Sequence, residues 1–145
     1  MKPEKYIGVL FKVVKDYEHH RVKESGAEKV EFEVKDGERL LDKLYSFLDC
    51  STVECVQFEA EGHSYDVWCD EEFLLKDWPV ASLIIGEPTS KDDCIIICNS
   101  YMVLKSNDEG ETVSLTPADV RRVWKFINHN LTVVFRQARR NGLFK

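Results

Sequence analysis

Glu33-Val34-Lys35 comes closest to reactive machinery in this chain. An acid-x-Lys triplet at a strand end is the latter half of a nuclease-type metal motif. Its carboxylate would share a divalent cation with an upstream acid, for which Asp16 is the candidate. The same triplet arises on any alternating polar strand face, so a nuclease using Glu33 and Lys35 stands as the alternative reading. The five cysteines, Cys50, Cys55, Cys69, Cys94 and Cys98, include no C-x-x-C pair. A hairpin could gather Cys50, Cys55, His63 and Cys69, but structural zinc sites use closer ligand spacing. Cys94 and Cys98 bracket an isoleucine run and read as small core hydrophobes. His63 and Cys69 share a strand face six residues apart, roughly 20 Å along an extended chain, which excludes a nucleophile pair between them. His19 and His20 fall in a polar loop and read as silent. No Gly-rich phosphate loop, G-x-S-x-G elbow or H-E-x-x-H helix is present. Neither catalysis nor a bound metal or cofactor is expected.

Charge is the more informative feature. Residues 1–116 hold 13 basic and 25 acidic side chains, a net of −12; residues 117–145 hold 7 and 1, a net of +6, which together give the formal −6 of the chain. At 100° per residue Arg121, Arg122, Lys125, Arg136, Arg139 and Arg140 project roughly opposite an apolar stripe, and they are the candidate partner-binding residues. The face is open to three readings. It is a solvated helix face complementing the C-terminal dipole, a surface for an acidic protein or a second copy of this chain, or a nucleic-acid contact. Against the last, the acidic body repels phosphates within a Debye length of roughly 8–10 Å, and no aromatic residue is expected among the arginines to stack on bases.

These residues need elements to hold them. "YIGVLFKVVK" and "EKVEFEVKDG" alternate as strands, Val30, Phe32 and Val34 facing one way. The polar residues 16–28 between them read as a long loop or hairpin tip. Leu40, Leu41, Leu44, Phe47 and Leu48 predict a short helix over about 38–49. Val53 and Cys55 lead into a hairpin around Gly62, with Tyr65, Val67 and Cys69 on the return arm. Residues 71–78 read as a helical connector. "PVASLIIGEP" is a strand, and "DDCIIICNSYMVL" is so uniformly apolar that it predicts one central strand covered on both faces. A turn at Asn107–Gly110 and a short strand follow. Thr116 as N-cap, Pro117 at the first position and Asp119 at the third open a long helix over about 117–141. Its stripe is Val120, Trp124, Ile127, Leu131, Val134 and Ala138.

The expected class is α+β, a mostly antiparallel sheet with two helices, in a single domain over residues 1–145. No stretch reaches the ~18 apolar residues of a membrane span, and the N-terminus carries no secretory pattern. The odd number of cysteines among apolar neighbours reads as reduced thiols, so a cytoplasmic protein is expected.

Residues 66–118 also carry a pattern: Asp70-Glu71-Glu72, Leu74-Leu75-Lys76, Pro79, Gly86 and the Cys94–Cys98 strand before an acidic turn. In this it resembles a family of small proteins of unknown function from phages and conjugative elements of Gram-positive bacteria. The resemblance implies an accessory protein of a mobile element, of a kind that binds and blocks host machinery, sometimes by mimicking nucleic acid with an acidic surface. The reading as a whole is a non-catalytic protein that binds a partner through its acidic body, its basic C-terminal helix, or both.

Overall fold

A computed structural model describes residues 4–72, 79–86 and 94–140, without the side chains of Cys94 and residues 132–140. The connector expected at 71–78 lies mostly outside the described residues. Strands β1 (Glu4–Asp16) and β2 (Arg21–Val34) form a long antiparallel hairpin in which Tyr6 faces Phe32 and Phe11 faces Ala27. Residues 21–28, expected in a loop, are therefore strand, and the turn is confined to Tyr17–His20. The reason is positional. β2 closes one edge of the sheet, much of it faces water, and ladder hydrogen bonds to β1 supply the order that apolar side chains would supply deeper in the fold.

Helix α1 (Leu40–Leu48) follows, ended by Asp49 in the left-handed region at φ 51°. Strands β3 (Val53–Ala60) and β4 (His63–Asp70) then form a hairpin whose two-residue turn, Glu61-Gly62, has φ 51° and 80°. Positive φ at both positions matches the right-handed strand twist, and glycine tolerates it without strain. Phe58 and Ala60, with Val56, form the buried face of β3 opposite Tyr65 and Val67. Val53 packs on the other side of the sheet and Cys55 is exposed, so the expected facing of that arm is reversed.

The described part of the apolar run, residues 94–104, is two strands. Asn99, left-handed at φ 67°, separates β6 (Cys94–Cys98) from β7 (Tyr101–Ser106). β6 pairs with β5 (Ala81–Gly86) in a two-stranded sheet of its own. β7 fulfils the central role: it lies between β1 and β4 in the order β2-β1-β7-β4-β3, and the two-residue β8 (Thr112–Val113) pairs with its end. Every pairing is antiparallel.

Helix α2 spans Pro117–Arg140. Its start is a reciprocal cap: the Asp119 N–H donates to Thr116 Oγ1 (3.1 Å) and the Thr116 N–H donates to Asp119 Oδ2 (2.9 Å). Tyr101 and Val103 of β7 point into the core on the α2 side, joined by Val9, Phe11, Tyr65, Val67, Leu83, Val123 and Ile127. Met102 and Leu104 point to the α1 side, with Tyr6, Leu10, Leu44 and Leu48. The period-2 alternation of β7, buried from Tyr101 to Leu104, thus divides two cores, one per helix.

The buried stripe of α2 differs from the expected one. Val123, Ile127 and Asn130 are buried, flanked by Val120, Phe126 and Leu131, whereas Trp124 is 40% exposed. Phe126 stacks on Phe58 at 4.3 Å and turns the helix so that Trp124 falls at the margin. Beyond residue 131 the expected apolar positions Val134 and Ala138 lie outside the described side chains. No helix among the described residues is long and apolar enough to cross a membrane.

Candidate functional site

The first turn of α2 closes over a buried ionic cluster. Asp119 is 4% exposed and both its oxygens are fully engaged. Its Oδ1 accepts from the Tyr65 hydroxyl (2.8 Å) and Arg122 Nη1 (3.1 Å). Its Oδ2 accepts from Lys105 Nζ (2.7 Å) and from the N–H and hydroxyl of Thr116 (both 2.9 Å). Burial pushes the Asp119 carboxyl up, but the donors from Lys105, Thr116 and Tyr65 overcome it and hold the group well below the usual carboxylate range. Arg122 Nη1 also donates to Tyr65 Oη (2.7 Å), and Arg122 Nε lies 3.3 Å from Glu61. Burial raises the Tyr65 hydroxyl, with Asp119 adding to the shift and Arg122 opposing it. Chemically the cluster is a clamp: its carboxylate is ionised at neutral pH and saturated with donors, and it fastens α2 to β4 and β7.

The six candidate basic residues divide accordingly. Arg122, expected on the outer face, has a side chain only 18% exposed and belongs to the clamp. Lys125 is outward, 3.3 Å from Glu61 in an exposed pair. Arg121 is exposed with no ion-pair partner among the described residues. Arg136, Arg139 and Arg140 lie on the α2 backbone, their side chains outside the described set. Trp124 joins Arg121, Lys125 and Asn128 on the exposed side. Its exposure was hidden in the sequence because it is spaced equally well for the stripe; the Val123–Ile127 pair, four residues apart, was the available signal for the buried face.

The nuclease constellation does not assemble. Glu33 pairs with Lys5 and Asp16 with Arg21, at opposite ends of the hairpin, eleven residues or roughly 36 Å apart. Lys35 lies beyond the end of β2, its N–H donating to Glu38. Cys50, Cys55, Cys69 and His63 do not gather into a metal-binding group among the described residues either. Among the described residues, the group whose ligand atoms lie within 4.8 Å of one another is Asp16, Glu18 and His19, at the turn of the first hairpin. There Asp16 already accepts from the His19 ring (2.8 Å) and faces Arg21 (3.4 Å), and the hydrogen bond from the ring lowers its pKa. Three of the thiols are raised: burial, and secondarily Glu54, takes Cys69 to about 12, and burial takes Cys98 to about 11. Cys55 is also pushed to about 11, by partial burial of its sulfur and then by Asp66. Protonated thiols at neutral pH are poor nucleophiles and poor metal ligands.

Fold and site together define an α+β protein whose antiparallel sheet lies between two helices, with an ionic clamp at the start of the second. Residues 20–128 match the family model described as a domain of unknown function, DUF3846, and the chain belongs to that family. No curated protein and no solved structure matches the chain.

Proposed function

We propose that the chain is a non-catalytic, cytoplasmic binding protein acting as one domain, and that it engages an acidic partner protein through the outer face of α2. The observation that carries this reading is Trp124. It is 40% exposed on an otherwise docked helix, one turn after Arg121 and one turn before Asn128. Tryptophan and arginine side by side are the residue types most enriched among those that dominate interface energetics. Lys125 extends the basic surface, Arg122 fixes the helix that presents it, and Arg136, Arg139 and Arg140 follow along the α2 backbone. The acidic body is the second surface, suited to a site built for phosphates. An accessory role on a mobile element, blocking host machinery, rests on the pattern in residues 66–118.

Trp124 also favours a second reading, nucleic-acid binding, because it places an aromatic ring among the cations where bases could stack. One experiment separates them. The chain and an R121E/W124A variant are used as baits in lysate at about 0.1 M salt, with and without nuclease. Capture of one protein in both halves, lost with the variant while its circular dichroism is unchanged, supports the α2 interface. Nucleic acid in the untreated half alone assigns the face to phosphates. Equal capture by both baits refutes the surface.

A further inference from the structure

The sheet ends in two unlike edges. β2 carries charges of both signs, and its register against β1 shifts near the hairpin turn. β3 is eight residues long, runs against β4 without a register shift, and among the described strands pairs with β4 alone. Its two-residue turn is flanked by the pair Ala60–His63, and at the other end the Glu71 N–H donates to the Thr52 carbonyl (3.2 Å). Hydrogen-bonded pairs alternate along an antiparallel ladder. Glu54, Val56, Phe58 and Ala60 therefore direct their backbone groups to β4, and Val53, Cys55, Gln57 and Glu59 turn theirs outward. Natural edges are blunted by lysine, proline, a bulge or a covering element. β3 has no lysine, proline or bulge, and Glu54, Cys55, Gln57 and Glu59 are all exposed.

What guards this edge is charge of one sign. From Val53 to Glu72 the chain carries seven acidic residues and no lysine or arginine. Glu61 is answered by Arg122 and Lys125 of α2, and Asp66 and Asp70 are buried. Glu54 and Glu59, on opposite faces of the strand, have no ion-pair partner among the described residues. Two copies of such an edge repel each other, whereas a strand of opposite charge is drawn to it. We propose that β3 is an augmentation edge: a cationic, extended segment of a partner protein adds to it as a further strand. The backbone groups of Val53, Cys55, Gln57 and Glu59 supply the ladder, and Glu54 and Glu59 select lysine or arginine at the facing positions. This edge lies opposite β2 and does not depend on the outer face of α2.

The probe is a synthetic peptide alternating lysine and valine, with its glutamate–valine counterpart as control, titrated into the full chain and followed by amide NMR. The expected result is saturable binding of the cationic peptide alone, with hydrogen exchange slowed at the amides of Val53, Cys55, Gln57 and Glu59. The amides of Glu54, Val56 and Phe58, already bonded to β4, should change little. An E54K/E59K variant should bind roughly tenfold more weakly, the scale of two opposite-charge cross-strand pairs turned into like-charge ones. C55P removes one outward donor while leaving the β4 ladder and the charge in place, and should weaken binding about as much. The same peptide N-methylated throughout keeps its charge but cannot donate, and tests the ladder with the protein unaltered. Absence of binding overturns the proposal. So does binding that leaves those four amides unprotected, or that persists with the N-methylated peptide, because charge attraction alone then accounts for it.

Discussion

Asp119→Ala is the substitution whose cost follows most directly from the structure. The carboxylate accepts from Tyr65, Arg122, Lys105 and two donors of Thr116, and its removal strands those groups. Deleting one partner of a buried ion pair costs about 3–5 kcal/mol. The lysine side chain is 28% exposed and the arginine 18%, so water recovers part of that loss. The net cost is about 3 kcal/mol, or about 10 °C in Tm for a domain of this size. The pH dependence has a definite sign. A carboxyl lowered in the folded state stabilises fully above its unfolded value, near 3.8, and the stabilisation drains away as pH falls through that value toward the folded one. Urea unfolding at pH 7 and pH 3, followed by circular dichroism, measures both effects. Wild type and variant should differ by about 3 kcal/mol at pH 7 and converge toward pH 3. A difference under about 0.5 kcal/mol at pH 7, the range of ordinary surface substitutions, or a gap independent of pH, would refute the clamp.

Two further substitutions probe how the layers are joined. Asn130 pairs with the Ile84 backbone, its Oδ1 accepting the N–H (3.0 Å) and its Nδ2 donating to the carbonyl (2.6 Å). Asn130→Ala should cost about 1–3 kcal/mol by leaving both groups unpaired, and should speed hydrogen exchange at the Ile84 amide. Gly8→Ala places a Cβ 2.9 Å from Met102 Sδ and 3.1 Å from the Val103 carbonyl, which is backbone and cannot swing aside. A loss of about 1–3 kcal/mol in denaturant titration is expected; an unchanged midpoint would show that β1 and β7 are less tightly apposed.

What the sequence made legible follows the strength of local signals. α1 was readable from five apolar residues at helical spacing, and the start of α2 from Thr116, Pro117 and Asp119, because caps and short amphipathic helices are specified by neighbours. β2 was half missed because an edge strand needs few apolar residues. The break at Asn99 was missed because a single residue with positive φ separates two equally apolar strands. The clamp was half visible: Asp119 was legible as a first-turn acid behind the Thr116 cap, but Tyr65 and Lys105 reach it from 54 and 14 residues away, a convergence that only the sheet order creates.

The same convergence decides what α2 can offer a partner. A helix with apolar and basic sides reads in sequence as one docking face and one free face, yet Arg122 and Glu61 show that the boundary is structural. Arg122 lies under the helix margin and is committed to Tyr65 and Asp119, and Glu61, at the β3–β4 turn, approaches both Arg122 and Lys125. The Lys125 pair is exposed and worth little in water, so that lysine remains exchangeable. Arg122 is not, because withdrawing it would uncover the buried tyrosine and carboxylate. Within the described part of α2, the proposed recognition surface therefore narrows to Arg121, Trp124 and Lys125, on a helix whose orientation Asp119 fixes in its first turn and Asn130 near its middle. Substituting Arg122 should weaken binding only as far as it loosens the helix, whereas substituting Arg121 should weaken it with the fold intact.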